Sequence, residues 1–376
     1  MLAPLCPFGA AQTADLDDLL VQTAKWQFET SRQPLQALSE IVAKVRSSPA
    51  ETRALEQKFI AFLKSNATPG GKDFICKQLS VMGTEASVPV LVEVLADPKT
   101  AELGRYALER IPGAAVDRAL RETLAKTNDR TRIGIVNTLG VRRDAGSVAI
   151  LRPLALGVEP ATASAALFAL AKIADPAALA VLSEAQGQTK GEVHADAAEA
   201  YLQAANLLAE RGSAASALPI YKTLYANRDP GTVQAAALRG LAHTGGAQAT
   251  PVLMEALHGS DLRLQAIAIA GLMPGSASLL MAEMPKLGEA AQIRILGLLA
   301  ERGEVSALPA FTKALQGSSK PVRLAALQGI GRVANASAVP SLAAIAAGDD
   351  AAEQMAARAA LGRIPGAQVD QAIVNG

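Results

Sequence analysis

The chain has 376 residues, with 36 Lys and Arg against 35 Asp and Glu, and it is half hydrophobic but only 3% aromatic. That length accommodates several ordinary domains or one long repeat array. The flat charge balance speaks against a nucleic-acid ligand, whose affinity comes largely from neutralised phosphates, and the alanine-rich, aromatic-poor composition favours close-packed helices over a β-rich core.

Residues 1–14, MLAPLCPFGAAQTA, carry no charge, and Asp15, Asp17 and Asp18 follow at once. This reads as the apolar end of a secretory signal, with Gly9 and Ala11 before a cleavage point, although no Lys or Arg precedes it. An exported or periplasmic location is expected, and a cytoplasmic one if the stretch is an ordinary tail. Residues 15–55, which include Trp26 and Phe28, are expected to form N-terminal capping helices over the first repeat. The two cysteines, Cys6 and Cys76, form no CxxC pattern, and the helical spacing around Cys76 places it as a small core hydrophobe.

From residue 56 to 376 the chain repeats. A small-residue corner closes an apolar helix at Val81-Met82-Gly83, Arg110-Ile111-Pro112-Gly113, Thr138-Leu139-Gly140, Glu210-Arg211-Gly212, Thr244-Gly245-Gly246, Met273-Pro274-Gly275 and Glu301-Arg302-Gly303. Long matches exclude coincidence. Leu207-Leu208-Ala209-Glu210-Arg211-Gly212 returns at 298–303, each time followed by Ser-Ala-Leu-Pro, and Arg110-Ile111-Pro112-Gly113 returns at 363–366. A fixed period of this size implies stacked supersecondary units. Val322, Leu324, Ala325, Leu327 and Ile330 mark one helix and Val339, Leu342, Ile345 and Ala346 the next, both at helical spacing. Prolines at 89, 219, 251, 309 and 340 fall where the first turn of a second helix is expected, the place that tolerates a missing N–H.

Three stretches depart from the rhythm. Residues 188–228 form a longer hairpin, with Tyr201, Tyr221 and Tyr225 where other units carry aliphatic residues. Those rings either fill a wider core or line a wall that a ligand meets. Leu264–Ala282 carries no charge, but Met273-Pro274-Gly275-Ser276 interrupts it, so two short helices are expected and no membrane span. Beyond 363–366 the chain ends where a full helix should follow, leaving Val369, Ile373 and Val374 poorly covered, as in a repeat arm of a longer protein.

The phrases Pro321-Val322-Arg323-Leu324-Ala325-Ala326-Leu327 and Ala338-Val339-Pro340-Ser341-Leu342 resemble the two-helix pattern of the HEAT-repeat family. The resemblance implies an all-α solenoid of about ten antiparallel hairpins over residues 56–376. It is also similar to repeat regions of exported bacterial proteins, where such arrays are joined to other domains. Within the fold, bilin lyases and DNA glycosylases provide a catalytic alternative.

Signals for chemistry are sparse. His194, His243 and His258 are dispersed, there is no HExxH or paired-Cys motif, and no phosphate loop or GxSxG elbow appears. No metal or cofactor is expected. Asp17/Asp18 and Asp349/Asp350 read as charges at helix starts or connections. Arg263, Arg294 and Arg323 read as a ladder of arginines bonding to adjacent repeats. The expected function is therefore architectural and non-catalytic: a monomeric scaffold binding a protein or peptide on the concave face lined by second helices. The expected contact residues are Glu93, Arg118, Arg121, Arg152, Tyr221, Lys222, Tyr225, Glu255 and Lys313, whose mixed signs favour a protein partner over a polyanion.

Overall fold

The computed structural model describes residues 10–127, 129–228, 231–272 and 277–364. Among them there is no strand, and the chain is an all-α solenoid of helical repeats. It divides into two compact units, residues 1–207 and 208–376.

Unit 1 begins with α1 (Ala10–Ala24), α2 (Gln33–Val45) and α3 (Pro49–Leu63). Helix α1 extends well before the acidic run, so Asp17 and Asp18 lie inside the helix and not at its start. There Asp17 pairs with Lys58 of α3, and Asp18 accepts from Gln22 one turn on. Trp26 is buried, donates its indole N–H to Ser31 O at 3.0 Å, and lies on Gly70, where a Cβ would stand 2.8 Å from the ring. The expected boundary at residue 55 falls within α3.

The repeats of this unit follow as α4 (Pro69–Met82), α5 (Val88–Ala96), α6 (Ala101–Arg110), α7 (Ala114–Leu124), α8 (Asp129–Arg142), α9 (Val148–Ala155), α10 (Pro160–Ile173) and α11 (Pro176–Gln188). Helices α4, α6, α8 and α10 pack side by side as one layer, while in the other α5 packs on α7 and α9 on α11. Cys76 of α4 is 1% exposed, and burial pushes its thiol up to about 12. Helix α12 (Gly191–Glu210) is the longest among the described residues, and the division between the units falls within it.

Unit 2 contains α13 (Ala214–Asn227), α14 (Gly231–Thr244), α15 (Thr250–His258), α16 (Leu262–Leu272), α17 (Ala277–Glu283), α18 (Glu289–Glu301), α19 (Leu308–Leu315), α20 (Lys320–Ile330), α21 (Val339–Ala346) and α22 (Ala351–Leu361). The first helices α14, α16, α18, α20 and α22 form a row, and each of α13, α15, α19 and α21 packs along the first helix that follows it. The repeated Glu-Arg-Gly motif has a backbone reason. Gly212 and Gly303 close their helices at φ +78° and +64°, a conformation that disfavours any side chain.

Two packing devices recur. Tyr221 of α13 lies on Gly240 of α14, and Phe311 of α19 lies on Gly329 of α20, so a large ring on each second helix fills the space left by a missing Cβ. In the intervening repeat Leu253 and Ala242 crowd Gly271 in the same way. The second device ties repeats together through carbonyls. A polar side chain early in each first helix donates to the free carbonyls that end the segment before it. Gln234 reaches Tyr225 O, Gln265 reaches Leu257 O and Gly259 O, Gln292 reaches Leu287 O, Gln354 reaches Gly348 O, and Arg323 reaches Gly317 O and Ser318 O.

This column corrects the expected arginine ladder. Of the three arginines, Arg323 alone stands at the recurring position, and it also pairs with Glu353 of the next first helix at 2.8 Å. Arg263 lies two residues before Gln265 and bonds within its own helix start to Asp261, while Arg294 lies two residues past Gln292 and is exposed. One proline also departs from its expected place. Pro89, Pro251, Pro309 and Pro340 stand at the start of their helices, each preceded by a short 3-10 turn. In α13 the corresponding turn has joined the helix, which begins at Ala214 and leaves Pro219 in its interior.

Candidate functional site

Chain chemistry converges most clearly in unit 2, in a cavity of ≈ 680 Å³ between the ends of α13 and α15 and the starts of α14 and α16. Its lining includes the apolar side chains Tyr225, Pro251, Met254 and Leu264, of which Tyr225 and Leu264 are buried, and the exposed polar residues Arg228, Glu255, His258, Ser260 and Asp261. Tyr225 occupies the place that Leu257 and Leu315 hold in later repeats, and is 8% exposed. Burial and the charge of Glu255 raise its hydroxyl above the usual tyrosine value. Gln234 is buried beneath it, its amide donating to Tyr225 O at 3.1 Å. Helix α13 ends at Arg228 in the left-handed region, φ +62°.

The charges at the cavity differ in how firmly they are held. Asp261 accepts the N–H groups of Arg263 and Leu264 at 2.8 and 3.2 Å, and these bonds hold its carboxyl below the usual range. His258 Nε2 lies 3.0 Å from Glu283, whose carboxyl is lowered chiefly by its bond to Lys286. Arg228 and Glu255 are held loosely: their charged atoms are 3.9 Å apart, with side chains 76% and 61% exposed. Loose, solvent-facing charges of opposite sign are free to exchange partners.

The expected contact residues divide into a core ring, two committed arginines, five exposed side chains and the buried cavity residue Tyr225. Tyr221 is 2% exposed and lies on Gly240, so it is a core side chain and offers a partner no surface. Arg121 and Arg152 are committed to neighbouring segments, Arg121 to Asp144 and Arg152 to Glu184, both at 2.5 Å. Glu93, Arg118, Lys222, Glu255 and Lys313 are exposed on α5, α7, α13, α15 and α19, all second helices. Of the two residues that enter the cavity, Tyr225 belongs to its apolar lining and Glu255 to its exposed polar lining. Arg228, Gln234, His258 and Asp261 were not expected. The left-handed end of α13 has no composition signal, and His258 reads as an ordinary helix-end residue until α17 brings Glu283 beside it.

Among the described residues no group of three His, Cys, Asp or Glu side chains could hold a metal ion, and no helix is long and apolar enough to cross a membrane. The Met273-Pro274-Gly275 corner and the residues past 364 lie outside the described residues, as do residues 1–9 of the expected signal.

Residues 233–259, which span α14 and α15 at the cavity, match the model of the PBS lyase HEAT-like repeat. No curated protein matches the chain. Among solved structures it is similar to the karyopherin Kap121p bound to the extreme C-terminus of the protein phosphatase Cdc14p, at 11% identity and a TM-score of 0.49, over 93% of this chain and 45% of that one. It is also similar to Kap121p bound to Nup53p, at 13% identity and a TM-score of 0.46, over 99% of this chain and 47% of that one. Human deoxyhypusine hydroxylase is similar at 18% identity and a TM-score of 0.32, over 74% of this chain and 96% of the enzyme. The chain thus spans about half the length of the karyopherin.

Proposed function

We propose that this chain is a non-catalytic scaffold that binds a protein or peptide along its second helices, the wall that faces inward in a curved array. The supporting observation is the contrast within that layer. Glu93 and Arg118 in unit 1, and Lys222, Glu255 and Lys313 in unit 2, stand exposed on second helices with both signs of charge, and Glu255 also lines a unit 2 cavity whose apolar lining is Tyr225, Pro251, Met254 and Leu264. Mixed exposed charges around an apolar anchor point suit a protein surface, where charge sets register and apolar burial supplies affinity. Binding without covalent chemistry requires only this arrangement.

Site-specific photo-crosslinking tests the reading. A benzoylphenylalanine at position 93, 222 or 313, exposed in the native cell extract, should yield one discrete adduct common to positions of the second-helix layer. The same reporter at exposed Val141 or Gln328, on first helices, should not. Equal adducts from both layers, or adducts from first helices alone, would overturn it. Export is part of the same proposal and rests on the charge-free run 1–14. Edman sequencing of native protein should begin past Ala11, and a retained Met1 in the cytoplasmic fraction would reject export.

A further inference from the structure

We infer that the cavity between α13 and α16 receives a basic side chain, arginine or lysine, of a bound protein segment; this rests on the scaffold reading above and specifies what one of its contacts recognises. The inference comes from shape and charge together. Tyr225, Pro251, Met254 and Leu264 give the cavity an apolar lining for a long side chain, and Glu255 and Asp261, exposed in the same lining, can meet its head. Lysine and arginine are the side chains whose apolar stem and charged tip match such a lining. Tyr225 lines the same cavity as Glu255, so an apolar ring and a carboxylate meet one guest.

The other charges around the cavity bear on the sign. Lys286 and His258 are both turned to Glu283, and Arg263 lies beside Asp261. Among the described residues that line the cavity Arg228 is the one arginine or lysine, and its guanidinium lies 3.9 Å from Glu255, beyond hydrogen-bond reach. Arg228 is thus a resident competitor for the carboxylate that an incoming basic side chain would use. Because it sits at the exposed, left-handed end of α13, it can swing away without disturbing the apolar lining. An anionic guest would need the opposite: Arg228 as its ligand and Glu255 as an obstacle. The two readings therefore predict opposite effects for the same substitution.

The test uses the full chain labelled at its methionine methyl groups, with the Met254 signal assigned through Met254→Leu. Nα-acetyl-arginine amide should shift the Met254 methyl saturably, and Nα-acetyl-glutamate amide should not. Glu255→Gln should weaken the arginine probe by about 1.5- to fivefold, the range set by an exposed ion pair. Arg228→Ala should tighten it by about twofold, since the competitor is gone. Position 255 is exposed, so an unchanged methyl spectrum elsewhere shows that the variant is folded. A Met254 shift from the glutamate probe alone, or loss of arginine binding in Arg228→Ala, overturns the inference. No Met254 shift with either probe also overturns it, while adducts from Lys222 and Lys313 would leave the scaffold reading standing. Conversely, an arginine-dependent shift without second-helix adducts would retain the pocket and reject the scaffold.

Discussion

Glu56 illustrates how a single side chain joins two repeats. It is 1% exposed and accepts four bonds: from Thr84 N at 2.7 Å, from Thr84 Oγ1 at 3.0 and 2.9 Å, and from Ser87 Oγ at 2.6 Å. A carboxylate of α3 thereby anchors the turn, capped by Thr84, that leads into α5. Truncation leaves the buried Ser87 hydroxyl and the two part-buried Thr84 donors without their acceptor, so Glu56→Ala should destabilise unit 1 by about 2 kcal/mol, read as a lowered urea midpoint at unchanged slope. Loss below about 0.5 kcal/mol would show that water replaces the carboxylate. Asp350 acts at the same scale but on the surface. Its carboxyl is lowered first by Lys320, then by the N–H of Glu353. A depressed folded-state value means stability present above the ordinary carboxylate value of 3.8 and lost as pH falls through the folded value. Asp350→Asn should therefore be less stable than wild type at pH 7, and the gap should close as the pH is taken below 3.8. A gap that persists in acid would mean that the side chain acts through hydrogen bonding alone.

At the scale of the helix pair, the sequence displayed corners and periodicity clearly but hid the register. Val322 to Ile330 and Val339 to Ala346 coincide with α20 and α21, because buried faces must recur every three or four residues. The three arginines looked equivalent because each follows an apolar residue near a helix start. Counting from the carbonyl column instead aligns Gln265, Gln292 and Arg323, and it explains a glycine that otherwise resists explanation. Gly240, Gly271 and Gly329 fall at one distance from that column and each touches a neighbour, whereas Gly297 falls one residue short and has open space around it. Opposite outcomes follow for the same substitution. Gly297→Ala, at an open helical site, should stabilise by up to about 1 kcal/mol. Gly240→Ala would put a methyl into the Tyr221 ring and should cost about 2 kcal/mol despite its better helix propensity. Thermal melts of the two variants decide this, and Tyr221→Leu should rescue Gly240→Ala by restoring room for the methyl. Likewise Gln265→Ala should cost about 1 kcal/mol by freeing two carbonyls, and Arg263→Ala almost nothing, since its pair is exposed.

For the whole molecule, the cavity was less legible than the fold because it depends on departures from the repeat. Tyr225 replaces a leucine, α13 absorbs the turn before Pro219, and Arg228 adopts a left-handed conformation, so the groove exists where the pattern breaks. The same locality governs how damage spreads. In an array each repeat is stabilised chiefly by its neighbours, so stability approximates a sum of repeat and interface terms. The chain also divides into two compact units, 1–207 and 208–376, each with its own rows of helices. A defect at Gly240 should then loosen α13, α14 and α16 first and leave unit 1 as protected as before. Native-state hydrogen exchange on the full-length Gly240→Ala variant tests this directly. Faster exchange at Leu238 and Ile269, with unchanged exchange at buried Leu139 and Leu167, is the expected pattern. A uniform rise in exchange across both units would mean that the chain unfolds as one cooperative body, and a ligand anchored at the unit 2 cavity would then stabilise all of it. If exchange changes only in unit 2, partner binding at that cavity should protect unit 2 alone, and contacts through Glu93 and Arg118 would be needed to protect unit 1.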